Sequence, residues 1–172
     1  VPAGTYALSE TGTGAAATGY VPTAPWTCTQ GAVVVGGTVT LPDLPTGTTV
    51  TCTIGNRAAD GSLQISKVVD DPSGGYIGGS SKTFTMIYNC GTGFTGSVTV
   101  TTAVPAPVSG IPVGRSCTVT ETAPSGGLLN DSFSWGTPTS TTQPVTITDQ
   151  VAATVTVTNP VVQKFGSFAV TK

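Results

Sequence analysis

The sequence predicts an all-β chain of immunoglobulin-like Greek-key sandwich modules in tandem, on three observations. Val and Thr alternate over many short runs, and β-branched side chains fit a pleated sheet surface. The chain holds 23 Gly and 13 Pro among 172 residues, which argues against long helices. Finally, the chain repeats itself at a spacing of roughly one small sandwich domain.

The repeat comes in three pieces. Gly61-Ser-Leu-Gln-Ile-Ser-Lys67 returns as Gly166-Ser-Phe-Ala-Val-Thr-Lys172. Thr5-Tyr-Ala-Leu-Ser-Glu10 returns as Ser116-Cys-Thr-Val-Thr-Glu121, and Val50-Thr-Cys-Thr-Ile-Gly-Asn56 returns as Thr154-Val-Thr-Val-Thr-Asn159. Only residues 61–160 contain all three pieces in order, so this stretch is expected to be a complete sandwich. Residues 1–58 hold the Glu and Asn pieces and read as the C-terminal part of a sandwich. Residues 161–172 read as a linker and the first strand of a following domain or of a neighbouring subunit's domain. Two explanations stand: a window cut from a longer array, or subunits exchanging a strand head to tail. Val1 reads as a processed or truncated start.

Period-2 alternation places the strands of the complete module near 62–68, 82–90, 96–102, 116–122, 132–136, 144–148 and 153–159. Turn signals separate them: Asp71-Pro-Ser-Gly-Gly75, Gly91-Thr-Gly93, Pro105 to Pro112, Ala123-Pro-Ser-Gly-Gly127 and Gly136-Thr-Pro138. The first fragment should contribute strands near 4–10, 25–29, 32–35, 38–42 and 48–55.

Composition narrows the function. Charged residues make up 8% and the net charge is −2, with no basic patch to hold nucleic acid. Mean hydropathy is +0.23, and no apolar run reaches the roughly 18 residues of a membrane helix, so no membrane insertion is expected in this segment. His is absent, which removes the commonest general base and metal ligand. There is no G-x-S-x-G motif, and Glu10 and Glu121 fall in separate domains, so neither a serine hydrolase nor a glycosidase pair is expected. No enzymatic activity, cofactor or metal is expected. Asp70, Asp71 and Asp131 lack the spacing of a calcium loop and read as turn residues. Trp26 and Trp135 alternate with other apolar positions and read as core residues. Asn130-Asp-Ser132 fits a glycosylation acceptor, and Thr-rich faces suit O-glycans.

Cys28, Cys52, Cys90 and Cys117 are widely spaced and none forms a C-x-x-C pair, which disfavours zinc and suggests two disulfides in an oxidising compartment. Four cysteines allow three connectivities; the domain boundary near residue 60 selects Cys28–Cys52 and Cys90–Cys117.

Side-chain parity then places polar groups inside. Leu63, Ile65 and Lys67 share one face of a strand; so do Cys117, Val119 and Glu121, and so do Val155, Val157 and Asn159. If the apolar members are buried, Lys67, Glu121 and Asn159 face inward with them. Phe84, Met86, Tyr88 and Cys90 share a face, which makes Cys90 available to Cys117. A buried Lys, Glu and Asn are costly unless they meet. Desolvation favours a neutral amine, which can attack the Asn carbonyl while the Glu shuttles protons, leaving an isopeptide bond and ammonia.

These positions resemble the collagen-adhesin B-type and SpaA-like prealbumin-fold repeat domains of Gram-positive, here actinobacterial, pilins and surface proteins. The resemblance rests on Lys67 in the opening strand, Glu121 in Thr118-Val-Thr-Glu-Thr-Ala-Pro124 and Asn159 in the closing strand. In the first fragment it rests on Tyr6-Ala-Leu-Ser-Glu10, Gly19-Tyr20, Trp26-Thr-Cys28 and Val50 to Asn56. Tyr88-Asn-Cys90 and Gly114-Arg-Ser-Cys-Thr-Val-Thr-Glu121 are similar to a related module found in tandem on actinobacterial surface proteins. The resemblance implies a Lys–Asn bond between first and last strands, catalysed by the middle acid. Because both domains carry cysteine pairs, a disulfide could do the stapling and leave Lys67 and Asn159 hydrogen-bonded. Glu10 and Asn56 form a partial set without an upstream Lys, and Lys172 would pair with an Asn in a following domain, or with a neighbour's Asn56 if strands are exchanged.

The function expected is a structural repeat of an extracellular surface fibre, stalk or filament. Its partners would be neighbouring repeats or subunits. The alternative is an adhesive module binding a host or surface ligand, with Thr102 to Pro112 as the candidate loop.

Overall fold

The computed structural model describes residues 1–11 and 19–172, in two compact units, Val1–Ala59 and Asp60–Lys172. The described residues contain strands and a single 3-10 turn at Gly79–Ser81, and no α-helix.

The first unit holds seven short strands: β1 (Gly4–Ala7), β2 (Tyr20–Pro22), β3 (Thr27–Cys28), β4 (Val33–Val35), β5 (Thr38–Leu41), β6 (Cys52–Thr53) and β7 (Asn56–Ala58). They form a β1-β5-β4 sheet and two antiparallel pairs, β2 with β7 and β3 with β6. Only Val39 is fully buried here among the described apolar residues. The strand expected over 48–55 pairs only at Cys52–Thr53 and resumes at Asn56–Ala58. It is hydrogen-bonded along one edge, to residues 19–29. A strand with one partnered edge keeps a short ladder.

The second unit is the sandwich. Its strands are β8 (Asp60–Asp70), β9 (Phe84–Asn89), β10 (Thr95–Val100), β11 (Ala106–Pro112), β12 (Ser116–Glu121), β13 (Phe133–Trp135), β14 (Thr139–Ser140), β15 (Val145–Thr146) and β16 (Ala152–Gln163). One sheet runs β10-β9-β12-β15; the other runs β11-β8-β16-β13, with β14 also on β16. Between them lies one core that includes Leu63, Ile65, Phe84, Met86, Val100, Ile111, Cys117, Val119, Ile147, Val155 and Val157. The first and last strands are parallel neighbours, in register from Ser62↔Ala152 to Asp70↔Pro160. Pairing first with last puts β8 in the middle of its sheet, with β11 along one edge and β16 along the other, so the backbone groups of both edges find partners.

Residues Pro105 to Pro112, expected as a loop, form β11 antiparallel to β8. The strand tolerates its prolines because it is the outermost of its sheet, where a missing N–H costs no ladder bond. A register shift between Val108 and Ile111 absorbs the irregularity, at Gly110 with φ of 71°. Trp135 packs edge-on against Tyr76 and Phe84, with ring centroids 5.8 Å apart in both pairs, and its indole N–H donates to the Gly126 carbonyl at 3.1 Å. Trp26 is half-buried in the first unit. The Asp71 carboxylate accepts the N–H groups of Gly75 (3.0 Å) and Tyr76 (2.7 Å), which closes the first turn.

Gly61, the first residue of the repeated G-S motif, is there for closeness. A Cβ at this position would lie 2.2 Å from the Thr148 carbonyl oxygen and 2.9 Å from Ile147 Cγ2. Gly61→Ala is therefore expected to destabilise the second unit by about 1–3 kcal/mol, the usual range for overpacking. A thermal melt of the variant checks this, and an unchanged melting temperature refutes the contact.

Candidate functional site

The parallel β8–β16 pair and the facing β12 bring Lys67, Glu121 and Asn159 to one point. Alternation along β8 buries Leu63, Ile65 and Lys67 together, and along β16 it buries Val155, Val157 and Asn159. Lys67 is 3% exposed and Asn159 is 0% exposed, the two polar members of an otherwise apolar buried set. The Glu121 side chain is likewise fully covered. Lys67 lies opposite Val157 in the ladder, so Asn159 is two residues further along the same face. The site sits toward one end of the core.

Glu121 faces both nitrogens. Its Oε1 accepts the Asn159 Nδ2 amide at 2.9 Å, and its Oε2 lies 3.6 Å from Lys67 Nζ. Lys67 Nζ also donates to the Val68 carbonyl at 2.9 Å and the Val157 carbonyl at 3.4 Å. The Phe84 ring closes one side, its centroid 4.8 Å from Nζ. Burial pulls the Lys67 ammonium down from 10.5 to about 8, against the opposing attraction of Glu121. Neither Glu121 Oε2 nor Asn159 Oδ1 makes a hydrogen bond with a described residue. The set is an amine, an acid and a carboxamide in a dry pocket, with unmet bonding capacity on the acid and on the amide carbonyl.

Two further residues serve the site without having stood out in the sequence. Phe84, which shares a strand face with Met86, is buried in the core and its ring also covers the lysine. Gln143 clamps β12 beside Glu121, its Oε1 accepting the Val119 N–H at 2.5 Å and its Nε2 donating to the Val119 carbonyl at 3.1 Å. A Gln before a Pro in a Ser/Thr-rich stretch carries no local signal for this. A shallow cleft of about 260 Å³ is lined by Val119, Glu121, Pro138, Ser140 and Val157 among others, while the Glu121 side chain itself stays covered.

The other sequence-selected residues fall as follows. Cys28 bonds Cys52 and Cys90 bonds Cys117. In the first unit Asn56 Nδ2 donates to Glu10 Oε1 at 2.5 Å, and both residues are exposed. Lys172 lies in an exposed C-terminal segment, residues 164–172, that forms no strand.

The first 54 residues match a family described as a prealbumin-like fold domain. Among solved structures, the major pilin T3.2 of Streptococcus pyogenes aligns at 16% identity with a TM-score of 0.39, covering 92% of this chain and 68% of that one. A Mobiluncus mulieris adhesin containing intramolecular disulfide, isopeptide and ester cross-links aligns at 18% identity with a TM-score of 0.40. That alignment covers 76% of this chain, which spans about half (54%) of the adhesin's length. No curated protein matches. Residues 63–162, more than half of the chain and nearly the whole sandwich, match the family described as a domain of unknown function, DUF5979, and the chain belongs to that family.

Proposed function

We propose that this chain is a load-bearing repeat of an extracellular bacterial surface fibre or stalk, whose complete sandwich is closed by an amide bond between Lys67 and Asn159. The observation that carries the proposal is the placement of one buried carboxyl between an amine and a carboxamide on the first and last strands. The neutral Lys67 amine attacks Asn159 Cγ. Glu121 takes one proton from the attacking nitrogen and hands it to Nδ2, the Cγ–Nδ2 bond breaks and ammonia departs, with Glu121 left as it began. The products are a secondary amide and one ammonia, so atoms balance without any co-reactant. Bond formation also removes from the site an amine whose ammonium form is costly to bury. Each oxygen of Glu121 faces one of the two nitrogens, which suits a relay between nucleophile and leaving group. Two disulfides in so short a chain support an oxidising, extracellular setting. The stretch 102–112, the site considered for an adhesive loop, is largely the edge strand β11, which favours the structural role.

Intact mass under reducing conditions tests the chemistry: the chain should weigh one ammonia less than its sequence. A full-length mass would sink the proposal. The rate should depend on pH with a definite sign. The neutral amine is the nucleophile, and with Lys67 near 8 it is roughly a tenth of the population at pH 7 and half at pH 8. In chemically synthesised chain folded from denaturant, ammonia loss should therefore accelerate from pH 6 to about 8 and level off above. A rate that keeps climbing to pH 10 would mean an ordinary lysine.

A further inference from the structure

The three reacting groups come from two sheets. Lys67 and Asn159 stand on β8 and β16, neighbours in one sheet, and the ladder from Ser62↔Ala152 to Asp70↔Pro160 fixes their separation. Glu121 comes from β12, in the other sheet. Its distance from both nitrogens is therefore set by how closely the sheets approach at that level. We propose that Gln143 is the positioning residue for the amide-forming step, strapping β12 to the β14–β16 pair through Ser140 so that Glu121 is held against Asn159 and Lys67. The inference rests on the Lys67–Asn159 reading above.

The strap is continuous. Gln143 Oε1 accepts the Val119 N–H at 2.5 Å, and its Nε2 donates to the Val119 carbonyl at 3.1 Å and to Ser140 Oγ at 2.8 Å. Ser140 is paired with Val157 on β16, and the next residue, Thr141, donates its N–H to the Thr156 carbonyl at 3.0 Å. Val157 in turn stands opposite Lys67 on β8. The connection runs from Val119 through Gln143, Ser140 and Val157 to Lys67, across both sheets. Val119 is two residues before Glu121 and Val157 is two residues before Asn159, so the strap lies one side-chain repeat from the reacting groups on both strands.

Ordinary pairing stops short of this level. β15 pairs with β12 at Ser116 and Cys117 only, and the backbone groups of Val119 are met by a side chain in place of a strand. Apolar packing thins out as well: the cleft of about 260 Å³ is lined by residues of β12 and of β14 and β16. Where a core is filled, side-chain volume sets the spacing of the sheets. Beside Glu121, directional hydrogen bonds take over. The placement matters because Glu121 Oε1 meets Asn159 Nδ2 at 2.9 Å while Oε2 is already 3.6 Å from Lys67 Nζ. A displacement of about 1 Å in a reacting group can cost about a hundredfold in rate. A residue that only closed the edge of β12 would need the two bonds to Val119 and not the one to Ser140.

The test follows ammonia loss by intact mass in chemically synthesised chain folded from denaturant at pH 8, well below the melting temperature. Ser140→Ala removes only the link between sheets and should slow the reaction about tenfold; Gln143→Leu removes the whole strap and should slow it about a hundredfold. Ser140→Thr keeps a hydroxyl and should restore the parent rate. Ser140 is exposed, so Ser140→Ala placed in a Glu121→Gln chain, which cannot form the bond, should leave the melting temperature unmoved. A rate lost while the melt stays put is the mark of positioning. If Gln143→Leu is slow and Ser140→Ala reacts as the parent does, Gln143 merely closes an edge and the proposal is overturned. A parent that loses its ammonia, with both variants equally fast, overturns it and leaves the reading of the sandwich intact. A parent that keeps its full mass overturns both.

Discussion

Glu121→Gln is expected to leave the reduced chain at the full mass of its own sequence, with no ammonia lost, and to lower the melting temperature of the sandwich by about 20 °C. The substitution keeps the shape of the side chain but removes the group that moves the proton. Without the bond, the stretch between Lys67 and Asn159 is no longer a closed loop in the unfolded state. Closing a loop of about a hundred residues is worth about 4–5 kcal/mol in the chain-entropy account of cross-links. At about 4–8 °C per kcal/mol for a domain of this size, the melting temperature falls by that order. Asn159→Ala removes the acceptor instead of the relay and should likewise keep the full mass of its own sequence, with a similar loss of stability. Mass spectrometry and a thermal melt on the same samples check both. A variant that melts with the parent would mean that the staple contributes nothing.

Removing the buried disulfide by Cys90→Ala with Cys117→Ala should cost about 3–4 kcal/mol, the value for a loop of about 27 residues. The cysteines are 1% and 0% exposed, so the alanines also leave a small void, which adds to the loss. The bridge ties β12 to the residue just after β9, strands already paired from Thr118↔Asn89 to Glu121↔Met86. Glu121 should therefore keep its place, and the double variant should still lose its ammonia. Calorimetry with and without reductant measures the stability, and intact mass measures the bond. A double variant that melts as the parent does would remove the disulfide from the account of stability.

Much of the site was legible because a strand has a period of two. Once Leu63, Ile65, Val155 and Val157 were taken as core, Lys67 and Asn159 had to be buried with them. Glu121 followed from Cys117 and Val119 in the same way. The strand over 106–112 was not legible. Its Pro and Gly carry the local chemistry of a loop, and only the sheet order reveals that this strand is an edge that tolerates them. The broken ladder over 48–58 was hidden for a related reason: alternation reports which face is apolar, not whether a neighbouring strand is present. Gln143 was invisible because its function is to imitate backbone pairing beside β12, and no period marks such a residue.

The parallel pairing of β8 with β16 sets how the sandwich meets tension along the chain. Residue 60 begins one strand and residue 163 ends the other, so traction on the two ends slides the strands past each other. Sliding strains the ladder from Ser62↔Ala152 to Asp70↔Pro160 all at once, whereas an antiparallel pair gripped at one end would unzip a rung at a time. An amide between residues 67 and 159 would route the strain across the sandwich and leave residues 68–158 slack. A string of such units would hold its length under drag.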